Sequence, residues 1–246
     1  MQNRDKWEPS KYVFKNGKLI ASRDRKEVSV ASRLIADLVA AFYGEALKKH
    51  AKGRLLDLGC GKVPLYSTYK EYIKDNICVD WENTLHKNIY LDFECDLTRE
   101  LPFDDCEFDT IILSDVLEHI PQPEKLWQEM HRILSVGGNL IINVPFYYCI
   151  HESPHDYYRY TEFALERFVE NSKLALVQLD RVGGAPEVLA DILSKNIQYL
   201  PVMGIHFAVC IQYITKVFIN TRIGKKISEV TSEAFPFGYF LVARKN

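Results

Sequence analysis

Two stretches of this sequence carry residue types that do chemistry. The first is Asp57-Leu58-Gly59-Cys60-Gly61. Glycines in such a turn let a ligand approach the backbone, and a helix beginning just after it offers unpaired N–H groups. The second runs from His151 to Thr161 and reads His-Glu-Ser-Pro-His-Asp-Tyr-Tyr-Arg-Tyr-Thr. It is dense in groups that move protons, grip anions or stack on rings. Here His155 is the candidate base, with Asp156 or Glu152 orienting it and Arg159 holding an anionic group. Tyr157, Tyr158 and Tyr160 can form an aromatic wall. The competing structural reading is that His155 and Asp156 cap a helix starting near Thr161 while the tyrosines pack the core.

The ligand of the glycine turn is narrowed by what the turn lacks. A dinucleotide loop wants a third glycine where Pro64 stands, and no Gly-Lys-Ser/Thr follows for a phosphate-binding loop. Asp57 before the first glycine disfavours a phosphate and suits a ligand with an amino group.

Positioning these residues needs a scaffold, and the hydrophobic pattern supplies one. Arg54-Leu55-Leu56 reads as a buried strand and Val63 to Lys74 as the helix after the turn. Further strands are expected at Asn76–Asp80, Ile89–Leu91, Phe108–Leu113, Asn139–Val144 and Leu174–Leu179, with a last one at Phe235–Ala243. Helices are expected at Val30–His50, Pro123–Leu134 and Thr161–Asn171, and Gly137-Gly138 as a turn into the fifth strand. Strands alternating with helices predict a mainly parallel sheet covered on both faces.

With that order in place, the motifs resemble those of class I S-adenosylmethionine-dependent methyltransferases of the type-11-like group. Asp57-x-Gly59-x-Gly61 resembles their first motif, Asp80 their ribose-binding acid, and Asp96-Leu97 their adenine-contacting pair. Leu101-Pro102-Phe103, Ser114 to Ile120, and Arg132-Ile133-Leu134 with Gly137-Gly138 follow in family order, so the likeness covers about residues 50–145. The resemblance implies S-adenosylmethionine as cofactor. Gly59 and Gly61 would face its methionine part, Asp57 its amino group, Asp80 the ribose, Asp96 and Leu97 the adenine, and Ser114 the sulfonium. It also implies a Rossmann-like, seven-stranded, mostly parallel sheet with an antiparallel last strand. The His155 to Thr161 run resembles a segment of bacterial members associated with envelope polysaccharide or secondary metabolite synthesis. His119, Tyr157, Tyr158 and Arg159 are the expected acceptor contacts, with bracing of the loop after the fourth strand the competing, structural reading of Glu118-His119.

The domain reading is an N-terminal arm and lid helix over 1–50, the methyltransferase core over 51–182 and 233–246, and an apolar helical insertion over 183–232. The insertion interrupts the strand–helix rhythm, and 199–220 is apolar yet broken by Pro201, His206, Gln212 and Lys216. A cap over the site is one reading, peripheral contact with a membrane the other.

The bulk numbers limit the partners. A net charge of −2 gives no footprint for a polyanion. The Asn/Asp-Pro-Pro-Tyr/Phe motif of base-amino methylation is absent after strand four, where Ser114-Asp115-Val116-Leu117 stands. A small molecule or glycan is thus the expected acceptor, carried on a lipid if the insertion meets a bilayer. A nucleic-acid methyltransferase and a non-catalytic cofactor-binding protein are the alternatives. Six scattered cysteines without a Cys-x-x-Cys pair indicate neither a disulfide framework nor a zinc site, so no metal is expected. The expected place is a reducing cytoplasm, with the membrane's inner face as the site of any peripheral contact.

Overall fold

The computed structural model describes residues 1–81 and 88–246. A hairpin, β1 (Tyr12–Lys15) and β2 (Lys18–Ala21), turns at Asn16-Gly17 and leads to helix α1 (Arg33–His50). Strand β3 (Arg54–Leu58) is followed by the short helix α2 (Tyr66–Tyr69), then β4 (Asp75–Asp80) and β5 (Phe93–Glu94). Strand β6 (Phe108–Ser114), helix α3 (Pro123–Ile133) and strand β7 (Leu134–Pro145) come next, then α4 (Glu162–Asn171) and β8 (Leu174–Val182). Three helices, α5 (Ala185–Ile197), α6 (Gly204–Ile219) and α7 (Arg222–Thr231), precede the last strand, β9 (Gly238–Lys245).

The main sheet has the order β5-β4-β3-β6-β7-β9-β8, parallel throughout except that β9 runs antiparallel to both its neighbours. This is the Rossmann-like seven-stranded arrangement that the motifs imply. Alternation along the central strands explains how one sheet serves two cores. Leu55, Ile112, Ile141 and Phe240 pack with α1 and the hairpin on one face. Leu56, Ile111, Ile142 and Leu241 pack with α3 and α4 on the other, around the fully buried Trp127.

Four expectations about elements need correction. The helix over 63–74 shrinks to Tyr66–Tyr69, because Val63 takes a left-handed φ of 50° and the chain must return early enough for the Lys74 N–H to reach Gly53 O at 2.7 Å. Ile89–Leu91 is not a strand. Its carbonyls serve the N-terminal arm instead, Tyr90 O accepting from Gln2 N–H and Ile89 O from Asn3, so pairing with β4 waits for Phe93–Glu94. Gly137-Gly138 is no turn before β7 but an irregularity inside it, and the strand begins at Leu134. The last strand starts at Gly238 rather than Phe235, whose N–H still closes a turn onto Thr231 O.

Between β8 and β9 the chain forms α5, α6 and α7. Their one buried glutamine ties them down: Gln212 on α6 donates to Ser194 Oγ at 3.1 Å and accepts from the Leu34 N–H at 2.8 Å. Among the described residues, no helix is long and apolar enough to cross a membrane.

Candidate active site

The glycine turn sits at the carboxyl end of β3, where open α/β sheets place ligands. The Gly59 and Cys60 N–H groups donate to Val79 O, which pins the turn to β4. Both glycines have positive φ, 71° at Gly59 and 47° at Gly61. A Cβ at Gly59 would lie 2.4 Å from Val116 Cγ2, so this glycine is needed for close packing of the loop after β6. A Cβ at Gly61 would meet no described atom within 4 Å. That open side is where a ligand can lie against the backbone.

Two acids flank the opening. Asp57 is 4% exposed, and the Tyr69 hydroxyl is 3.5 Å from its Oδ2. Burial, aided by the nearby Asp80 carboxylate, pushes its carboxyl up to about 7. Asp80 accepts from the Gly61 N–H through Oδ2 and from the Trp81 N–H through Oδ1, both at 2.9 Å. These bonds hold the Asp80 carboxylate at the carboxyl end of β4, beside the glycine turn. A buried acid beside an open glycine fits the ammonium of an amino-acid ligand such as S-adenosylmethionine, and Asp80 fits its ribose.

The other cofactor candidates lie differently. Asp96 is half-exposed and turned onto its own loop, accepting from the Thr98 N–H and hydroxyl and pairing with Arg99 at 3.1 Å. The Thr98 hydroxyl, with its N–H, holds the Asp96 carboxyl below its ordinary value. Leu97 is buried in the core under α3. Ser114 ends β6 with its hydroxyl 3.5 Å from Asp115 Oδ2.

The acceptor side is built mostly by residues that the sequence reading passed over. Asp115, at φ 55°, accepts from Lys11 Nζ at 2.8 Å and from Asn143 Nδ2 at 2.5 Å. Burial opposes its ionisation, but the Lys11 ammonium and Asn143 keep the carboxyl below its ordinary value. The N-terminal hairpin is thereby latched across the end of β6. The buried Tyr12 and Tyr43 rings lie 6.3 Å apart beside it.

The His/Tyr segment is rearranged relative to expectation. Asp156 does not orient His155. Both its oxygens face Arg159, at 2.5 and 2.8 Å, and Oδ2 also accepts from the His151 N–H. Arg159 holds the Asp156 carboxyl well below its ordinary range, and is itself occupied rather than free to grip an anion. The cause is local: residues three apart in this turn form a bidentate pair that no more distant partner displaces. His155 instead has Nδ1 3.2 Å from the Tyr157 hydroxyl and its ring edge-on to Trp81 at 5.0 Å. Tyr158 donates to Pro121 O, and Tyr160 is buried with its hydroxyl on Leu117 O, so the aromatic wall reduces to Tyr157 and Tyr158.

His119 Nδ1 lies 2.8 Å from His155 O, and its Nε2 points to the fully buried Glu118 at 3.8 Å. His151 Nε2 approaches the same Glu118 oxygen at 3.6 Å. Burial pushes the Glu118 carboxyl up, against the pull of His151. Burial would lower His151, but the Glu118 carboxylate raises it on balance. Glu118 and His151 stand 33 positions apart, so no local spacing signals their meeting; the approach of the loops after β6 and β7 makes it.

Comparison with known proteins agrees with this geometry. Residues 56–142 match the model of a family described as a methyltransferase domain. Over that stretch the chain is similar to methyltransferase domains. The chain is 33% identical over 101 residues to an uncharacterized protein of Methanocaldococcus jannaschii, covering 41% of this chain and 49% of that one. It is 28% identical over 115 residues to the demethylmenaquinone methyltransferase of Renibacterium salmoninarum, covering 45% of each. The chain thus spans about half the length of the curated relatives it matches. Among solved structures, the [4+2]-cyclase SpnF aligns with a TM-score of 0.57 at 16% identity, over 85% of this chain and 83% of that one, a likeness of fold.

Proposed function

We propose that this protein transfers the methyl group of S-adenosylmethionine to an oxygen or nitrogen of a small-molecule or glycan acceptor carried on a lipid, working against a membrane surface. The observation that carries the acceptor reading is the apolar outer face of the insertion. On α6, Val209, Tyr213, Ile214 and Val217 are 44 to 67% exposed; on α7, Ile223 and Val230 are 70 and 65% exposed. Exposed Arg222, Lys225 and Lys226 stand on α7 beside this face. An apolar stripe with basic neighbours suits an anionic lipid surface. The same insertion touches the chain leading into the His151–Thr161 segment, since Lys195 Nζ of α5 sits 3.5 Å above the Tyr148 ring.

The reaction is an in-line displacement. Held by the glycine turn, Asp57 and Asp80, S-adenosylmethionine would supply an activated methyl group to an acceptor lone pair, with the C–S bonding pair left on sulfur. A hydroxyl acceptor also gives up its proton, and His155 is the proposed base. Because the donor is already activated, alignment and water exclusion by the latched hairpin and the insertion supply much of the rate.

Three measurements test this. Labelled S-adenosylmethionine incubated with fractionated cell extract is expected to deliver label to the lipid fraction; label in RNA or in water-soluble products alone overturns the acceptor reading. Vesicles rich in phosphatidylglycerol are expected to co-float the protein, and Val209→Glu with Ile214→Glu to lower that binding at least tenfold. Equal flotation of the double variant, or a dimer that it dissociates, assigns the apolar face elsewhere. His155→Ala is expected to slow turnover by about 100-fold or more with cofactor affinity unchanged; wild-type turnover removes it from proton transfer.

A further inference from the structure

Two histidines and a glutamate meet beside the acceptor segment in a way that the methyl-transfer reading does not use. Glu118 is fully buried, yet neither of its carboxylate oxygens has a hydrogen-bond partner among the described residues, and the buried Nε2 of His119 has none either. Leaving such groups unpaired in the interior is unfavourable, most of all for a charged one. One ligand atom from each of Glu118, His119 and His151 falls within 4.8 Å of the others.

The outer nitrogens explain how the inner ones are aimed. His119 Nδ1 is 2.8 Å from His155 O, an acceptor only. His151 Nδ1 is 3.3 Å from Asp156 Oδ2 and 3.3 Å from Cys149 O, again acceptors only. Each Nδ1 therefore carries its proton outward, and each Nε2 presents a lone pair inward. Two lone pairs and a carboxylate converge on one point, an arrangement that a bound metal cation satisfies. A carboxylate or carbonyl behind each histidine is the arrangement that fixes metal-bound imidazoles. Arg159, by clamping Asp156, fixes the carboxylate behind His151.

We propose that Glu118, His119 and His151 hold a divalent transition-metal ion. Donors about 2.1 Å from a common tetrahedral centre stand about 3.4 Å apart. Glu118 Oε1 is 3.6 Å from His151 Nε2 and 3.8 Å from His119 Nε2, each a few tenths of an ångström beyond that separation. Two imidazoles and one carboxylate form a mixed N/O set that suits zinc and its first-row neighbours rather than calcium or magnesium. The exposed Glu152 offers a further oxygen 3.9 Å from His119 Nε2, which water or an acceptor oxygen can replace. In that exchangeable position the ion would acidify an acceptor hydroxyl, a role that rests on the methyltransferase reading, whereas the binding of the ion does not.

The test uses the untagged full chain, stripped with a chelator and titrated with zinc by calorimetry and with cobalt(II) by visible absorption. One ion per chain is expected, with a d–d band showing nitrogen and oxygen ligation. His151→Gln and His119→Gln are each expected to weaken zinc binding at least 100-fold. Asp156→Asn, which touches only the outer nitrogen of His151, is expected to weaken it about tenfold. His151 is partly exposed, so its variant reports even if His119→Gln fails to fold. Absence of zinc binding, or binding that His151→Gln leaves unchanged, overturns the proposal and returns the trio to a protonated ion pair. Calorimetry of the metal-free chain with S-adenosylmethionine reads the cofactor site separately, so either reading can fail without the other.

Discussion

Asp57→Asn is expected to make the free protein more stable at pH 8 while weakening S-adenosylmethionine binding about 10- to 100-fold, the equivalent of a charge-assisted hydrogen bond of about 1.5–3 kcal/mol. The two effects have one cause. The carboxyl lies buried at the end of β3, and burial, then Asp80, raises it from 3.8 to about 7. An unfolded chain surrenders this proton above about pH 4, whereas the folded chain keeps it to about 7. The folded state therefore binds the extra proton, its stability is greatest below the unfolded value, and it falls as pH rises through the folded one. Asparagine carries no such proton, so the variant's stability should lack this fall and exceed wild type above pH 7. The ligand's ammonium reverses the penalty by favouring the ionised acid. The cofactor-induced rise in Tm should thus grow between pH 6 and 8 in the wild type and stay flat in the variant. Melting curves of both proteins at the two pH values, with and without cofactor, decide the matter. Matching pH dependences would mean that Asp57 does not titrate in this range, and unaltered affinity would remove it from the binding site.

Gly61→Val should abolish cofactor binding without unfolding the protein. At φ 47° a β-branched residue is strained by about 1–2 kcal/mol, a tolerable loss. Its side chain, however, would project into the open side of the turn, where a Cβ at Gly61 meets no described atom within 4 Å. If the methionine part of the cofactor lies there, affinity should fall about 100-fold or more, which is about 2.8 kcal/mol. Gly61→Ala should lie between. Equilibrium binding measurements and a melting curve are enough: a valine variant that binds as the wild type does would place the ligand elsewhere.

How much of this was legible in the chain follows from distance along it. The glycine turn, Asp57 and Asp80 lie within 25 positions and belong to consecutive elements, so order and spacing alone bring them together. The strands of the main sheet were readable from their apolar runs except at the edge, where β5 is two residues long and pairing goes to whichever carbonyls the N-terminal arm leaves over. The acceptor side was the hardest to read. Lys11 reaches Asp115 over 104 positions and His151 reaches Glu118 over 33, contacts that exist only once the hairpin and two loops have folded over the sheet. The expectation of no metal came from cysteine spacing, a signal blind to histidines on different loops. Asp156 reads in the sequence as an orienter of His155 and Arg159 as an anion grip, whereas local pairing spends them on each other.

Strand β9 has a bearing on how the molecule is made. It lies between β7 and β8 and hydrogen-bonds to both, while β8 has no other strand neighbour among the described residues. During synthesis β8 and the three helices of the insertion leave the ribosome first, and they wait for residues 238–245 before the sheet can close. Pairings of such long sequence separation form slowly. For that interval the apolar helices are exposed on an unfinished scaffold, so a nascent chain has its greatest affinity for a chaperone or a lipid surface before it has a functioning site.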